Sequence, residues 1–305
     1  MPGFRREALS MAKKMEMTKV EDKSLKHRVG KGVLGVFLNV ILWIFSLTCI
    51  FPLIWMFYSS LKEKREFNAN IIGMPKNPNF QNYIDVMTNK DTNLVSAMIN
   101  SVRTTVLAVA LIVIFAFICG YILARINFKL NKPLYVVFLM GMLIPTHSLL
   151  VPTFVIFSQL NMDNKWFTLL FPYVTFGLPV SLFLVQGYIK GIPSALEEAA
   201  AIDGSSFSRT LFSIILPICK PILVTVAIIQ VFGNWNEFTF ALVLLKSNGG
   251  WATLPLAMRQ FSGQFSTNYP QLMAAMLITM APVVIFYFAF SKQIIKGMVA
   301  GAVKG

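Results

Sequence analysis

Apolar residues along this 305-residue chain come in long unbroken blocks, without the alternation of a half-buried strand or the single stripe of a soluble helix. Six blocks stand out, at about 34–58, 101–124, 134–157, 167–189, 221–245 and 272–291. Each reaches the roughly 20 apolar residues that a helix needs to cross a hydrocarbon core about 30 Å thick. A backbone in lipid must satisfy its own N–H and C=O groups, so a bundle of helices is what such blocks permit. The predicted fold class is all-α and integral to the membrane, with six transmembrane helices in one domain over 33–305 and a polar, basic tail at 1–32.

Departures from the block pattern are informative. The third block, "LYVVFLMGMLIPTHSLLVPTFVIF", is interrupted by Pro145 and Pro152, and the fourth holds Pro172 and Pro179. Proline removes a backbone donor and frees carbonyls, which predicts a kinked third helix packed inside the bundle. The segment 59–100 contains "NFQNYIDVMTN", where Tyr83, Val86 and Met87 share one side of a short helix. It reads as an interfacial or capping element and, more boldly, as a partner contact. The first apolar run is too long for a signal-peptide core. Met11 is an alternative start.

A polar, helix-forming island interrupts the apolar pattern at 190–220, which reads "IPSALEEAAAIDGSSFSRTLFSIILPICKP" from Ile192. Pro193 suits a helix start, Ser194 and Glu197 have capping-box spacing, and 196–202 is rich in helix formers. Gly204 is placed to end that helix in a left-handed turn. Ser205 would cap a second helix over 206–216, stopped by Pro217. Ala199, Ala200 and Ala201 offer a small-residue surface that another protein could approach closely. An amphipathic connector resting on the membrane surface satisfies the same helix physics.

Composition adds sidedness. The chain is 56% hydrophobic and 13% charged, too apolar for a soluble domain. Its net charge of +14 would, taken alone, fit nucleic acid. Sorting Lys and Arg onto alternate sides, with the N-terminus inside, places 18 inside and nine outside. That bias obeys the positive-inside rule with both termini and the 190–220 loop cytoplasmic. The charge therefore sets topology, and no nucleic-acid partner is expected. Cys49, Cys119 and Cys219 have no metal-type spacing and read as free, packed thiols.

Candidate chemistry is sparse. The phosphate cradle G-x-x-x-x-G-K-[ST] is missing, since "GSSFSRT" at 204–210 lacks the second Gly and the Lys. Only His27 and His147 could serve as histidine acid–base groups, and no cluster suits a metal. The chain is therefore expected to be no enzyme, with no metal and no cofactor of its own. Ionisable residues inside spans are functional candidates; they are Arg103, His147 and Glu237. Arg103, at the outer end of the second span, could snorkel to the interface. His147 either bonds a carbonyl freed by Pro145 or lines a pathway. In "FGNWNEF", Asn234, Trp235, Asn236 and Glu237 fall within one helical turn. Such groups bond sugar hydroxyls and stack on sugar faces, or they tie helices together.

The loop carries a resemblance. Glu198-Ala199-Ala200, Gly204, Ile214 and Leu216-Pro217 match, with the right spacing, the EAA signature of ABC-importer permeases, which lies between the fourth and fifth of six spans. Gly120-Tyr121-Ile122-Leu123-Ala124-Arg125, Trp235-Asn236-Glu237-Phe238 and the tail "KGMVAGAVKG" further resemble the maltose-type, carbohydrate-uptake class, in particular its smaller permease.

The resemblance implies a coupling helix docked in a cleft of a cytoplasmic ATPase. Glu197, Glu198, Ala199, Ala200, Asp203 and Gly204 would form the coupling site, and Gly301, Lys304 and Gly305 a second ATPase contact. It implies a substrate pathway including Asn234, Trp235, Asn236, Glu237 and His147. The partners would be a second six-span permease, two ATPase subunits that hold the ATP and Mg, an extracellular solute-binding protein, a sugar or oligosaccharide and membrane lipid. The setting would be a bacterial cytoplasmic membrane. The same architecture with a glycerol-phosphate or other polyol cargo is an alternative, as is a self-contained secondary transporter, which usually shows duplicated halves.

Overall fold

The computed structural model describes residues 35–89, 92–246, 249–261 and 268–302; the basic tail at 1–32 lies outside the described residues. Every regular element among them is helical. By contact the chain divides into two compact units, the first ending at Tyr58 and the second running from Ser59. Helix α1 (Gly35–Ser60) has a mean hydropathy of 2.3. Two of its hydroxyls bond within the helix, Ser46 donating to the Leu42 carbonyl and Thr48 to that of Ile44.

Three long helices build the second unit's core: α4 (Leu94–Arg125), α7 (Leu170–Lys190) and α10 (Leu216–Trp235). α4 and α7 make the most extensive contact, and α10 packs on both. Ile112, Ala116, Val185, Ile189, Ile215 and Val226 are fully buried between them. Small residues set the spacing. A Cβ at Gly120 would stand 3.0 Å from Val185 Cγ1, and one at Gly177 only 2.6 Å from Gln230 Oε1. The buried amides bridge the helices: Gln230 Nε2 donates to the Gly177 carbonyl and Ser181 Oγ, and Gln186 Nε2 to the Leu123 carbonyl.

The third apolar block is broken rather than merely kinked. Helix α5 (Asn131–Gly141) is followed by a 3-10 turn (Thr146–Leu149) and α6 (Leu150–Gln159), bent by 92° from α5. Pro145 is extended, with ψ at 112°, and has no N–H to carry a helix through. Pro152 falls in the first turn of α6, where a missing donor costs little. Among the described residues, five continuous helices are thus long and apolar enough to cross a membrane, and this bent pair is a sixth candidate.

The fifth block departs from expectation. Helix α9 (Phe207–Arg209), a π-helical stretch (Thr210–Ile215) and α10 form one rod, Phe207–Trp235. The separate helix expected over 206–216 does not exist, because Pro217 does not stop it. The Leu216 N–H reaches back five residues to the Leu211 carbonyl, and this wider register passes over the donor that Pro217 lacks. The expected span at 221–245 is likewise corrected. The helix ends at Trp235, and the chain resumes as short α11 (Thr239–Leu244).

Between α1 and α4 lie α2 (Lys64–Ala69) and α3 (Gln81–Thr88), the latter being the short helix predicted from "NFQNYIDVMTN". After short α12 (Leu254–Met258) comes α13 (Tyr269–Ala302), which packs on α3 and is longer at both ends than the expected 272–291. Val86 is buried and Tyr83 shares a hydrogen bond with Ser60, but Met87 is 45% exposed. Lys62 is buried, its ammonium donating to the Asn70 and Ile71 carbonyls. Burial pulls that group below the usual lysine range, with the Glu66 carboxylate acting the other way.

Candidate functional site

The motif-bearing loop folds as α8 (Ala195–Ile202) ending at Gly204, whose φ of +72° gives the left-handed turn expected of it. The expected capping box does not form. Ser194 is helical and its carbonyl, not its hydroxyl, takes the Glu197 N–H, while the Glu197 carboxylate is engaged elsewhere. Glu197 Oε1 accepts from Arg125 Nε at 2.8 Å and Oε2 from the Tyr121 hydroxyl at 3.1 Å, while Arg125 Nη2 donates to the Ile192 carbonyl at 2.6 Å. Ser206, rather than Ser205, caps the following helix, accepting from the Arg209 N–H.

Burial sorts the expected coupling residues. Glu198, Ala199, Asp203 and Gly204 face outward with Ala201, and Ile202 forms the tip at 86% exposure. Ala200 turns inward at 6% and is not part of the small-residue surface. Gly301 lies in the last turn of α13. Lys304 and Gly305 lie outside the described residues. Tyr121 and Arg125, one helical turn apart and on one face of α4, were legible only as a motif match and a membrane-end anchor. The structure makes them the clamp on α8.

The second group of candidates gathers where α10 breaks. A cavity of about 380 Å³ is lined by His147, Tyr173, Asn234, Asn236 and Glu237, with the stacked rings of Phe176 and Phe240. No Lys or Arg is among its described lining residues. Glu237 owes its position to α11, accepting the N–H groups of Phe240 at 2.6 Å and Ala241 at 3.2 Å, and the Tyr173 hydroxyl at 3.0 Å. A carboxylate there complements the orphan donors of a helix start. Asn236 is exposed and bonds back to the Phe232 carbonyl. Asn234 is 9% exposed, its amide nitrogen without a partner among the described residues.

Trp235 corrects an expectation. It packs with Leu94, Ala97, Leu254 and Ala274, away from the cavity, so no indole is available there for a ligand. Arg103 is not at a helix end, since α4 begins at Leu94; its guanidinium lies 4.8 Å from the Trp251 ring centroid and bonds Asn100.

A match to the family described as "Binding-protein-dependent transport system inner membrane component" covers residues 113–299, a stretch that holds the clamp, α8 and the cavity. The chain belongs to this family. It is 36% identical over 267 residues to a putative ABC transporter permease protein of Caldicellulosiruptor sp. (strain Rt8B.4), covering 87% of this chain and 96% of the relative. It is 34% identical to a probable starch degradation products transport system permease protein of Thermoanaerobacterium thermosulfurigenes, over 88% and 95% of the two chains. A bacterial ABC transporter involved in the import of the acidic polysaccharide alginate shares the fold, with a TM-score of 0.76 and 21% identity over 85% of this chain and 96% of that one.

Proposed function

We propose that this permease forms one half of the translocation pathway of an ATP-driven importer for a sugar or oligosaccharide in a bacterial cytoplasmic membrane. A second six-span permease completes the pathway, an extracellular solute-binding protein delivers the cargo, and two cytoplasmic ATPase subunits bind ATP and Mg and do the hydrolysis. Both termini and α8 face the cytoplasm. The observation that carries the reading is the outward face of α8. An apolar tip at Ile202, flanked by Glu198, Ala199 and Asp203, projects from a loop held to the bundle by a partly buried ion pair. Such a knob suits insertion into a cleft on a partner. Gly301, Lys304 and Gly305 would add a C-terminal contact to the ATPases.

Sugar as the cargo is supported by the cavity and by the relative named for starch degradation products. Amides, a carboxylate and aromatic faces bond hydroxyls and cover apolar ring faces. A phosphorylated polyol calls for cationic partners, and the described lining carries the Glu237 carboxylate instead. The test is reconstitution of the assembled importer in vesicles with labelled maltotriose as the probe. Glu198→Lys and Gly204→Pro are expected to lower uptake per ATP hydrolysed while the subunits still co-purify. Unchanged uptake in both variants overturns the coupling role of α8.

A further inference from the structure

Four stretches of the chain meet at the Glu197 carboxylate. It holds Tyr121 and Arg125 from the last turns of α4, Arg125 reaches Ile192 just past α7, and the Tyr121 ring meets Phe207 of α9 edge-on at 5.7 Å. The side chains of Arg125 and Glu197 are only 16% and 17% exposed, so solvent does not screen them as it does a surface pair. Both carboxylate oxygens and two guanidinium nitrogens are engaged, which fixes geometry as well as charge. Elsewhere α8 hangs on short connections, residues 191–194 on one side and 203–206 on the other, the second turning at a glycine with positive φ. Joined by those alone, α8 would swivel under a push rather than transmit it.

We propose that Arg125 and Glu197 are positioning residues, a strut that makes α8 and the end of α4 one rigid body. Displacement of α8 by its partner then passes into α4, and from α4 into α7, on which it packs most extensively. Glu197 belongs to this internal transmission and not to the partner-facing surface, which is left to Glu198, Ala199, Ile202 and Asp203. The inference rests on the reading of α8 as the coupling element.

The test uses the fully assembled importer with spin labels at Ile126→Cys, beside the end of α4, and Ile202→Cys, both exposed positions, after Cys49, Cys119 and Cys219 are replaced by alanine. The distance between the labels is expected to be narrowly distributed and the same with and without trapped ATP. Glu197→Gln, nearly isosteric, is expected to broaden it and to cut maltotriose uptake about tenfold, the scale of one charge-assisted hydrogen bond. The swap Arg125→Glu with Glu197→Arg is expected to recover both readouts in part, which a merely bulk-filling role would not. A distance that stays narrow in Glu197→Gln, or a swap no better than the single variant, overturns the strut. Failure of the coupling reading shows separately, as a label at Ile202 in the parent protein that gains no immobilisation when the ATPases assemble.

Discussion

Removing the Glu237 carboxylate should first be felt as lost stability. Glu237→Ala strands two first-turn N–H groups of α11 and the Tyr173 hydroxyl. Each buried donor left unmade costs about 1–3 kcal/mol, and with the site only half-buried we take the lower part of that range, about 3–5 kcal/mol in total. At about 2 °C per kcal/mol for a chain of this size, the purified protein should melt about 6–10 °C lower. Glu237→Gln keeps one acceptor oxygen and loses charge assistance, so its cost is about 1–2 kcal/mol, or about 2–4 °C. Tyr173→Phe combined with Glu237→Gln should be less than additive, since both touch the same bond. The assay is a thermal melt in detergent followed by intrinsic fluorescence. If Glu237→Ala melts within 2 °C of the parent, or if Ala and Gln behave alike, the carboxylate is not the cap that holds α11.

Gly177→Ala would place a methyl 2.6 Å from Gln230 Oε1 and 2.7 Å from Ile112 Cδ1, so a loss of about 1–3 kcal/mol is expected, read as a lower melting temperature. Trp235→Phe keeps the ring in the α4–α13 core and deletes an indole N–H that has no partner among the described residues; uptake should stay within about twofold, and a larger loss would show that the N–H is used. Asn93→Ala removes the side chain that accepts the Ser96 N–H at the start of α4 and should cost about 1 kcal/mol, measurable in the same melt.

Much of the bundle was legible because membrane spans are written in composition: α4, α7 and α13 cover the predicted apolar blocks, with α7 within three residues at each end, α4 starting seven residues earlier and α13 ending eleven residues later. The fifth span misled for a physical reason. Apolar residues flank the polar run Asn234–Glu237 on both sides, so 221–245 read as one span, while the backbone breaks at 236–238 because polar groups at Asn236 and Glu237 can satisfy it there. Prolines misled in the opposite sense, since Pro217 is carried by a π turn that no local propensity announces. In the candidate site, the left-handed Gly204 and the closeness of Asn234, Asn236 and Glu237 were readable from residue type and spacing, whereas His147 joined them only through what the resemblance implied. The inward turn of Ala200, the outward turn of Trp235 from the cavity and the claim of Arg125 on Glu197 were not. The last two are decided by residues far away in sequence, 141 positions for Trp235 against Leu94 and 72 for the ion pair.

The uninterrupted helix from Phe207 to Trp235 has a mechanical corollary. Its 29 residues span about 43 Å, so it works as a driveshaft with the Gly204 turn at one end and the floor of the 380 Å³ cavity at the other. Torque applied beside Phe207 would be delivered, without passing through any loop, at Asn234, a cavity residue whose amide nitrogen has no partner among the described residues.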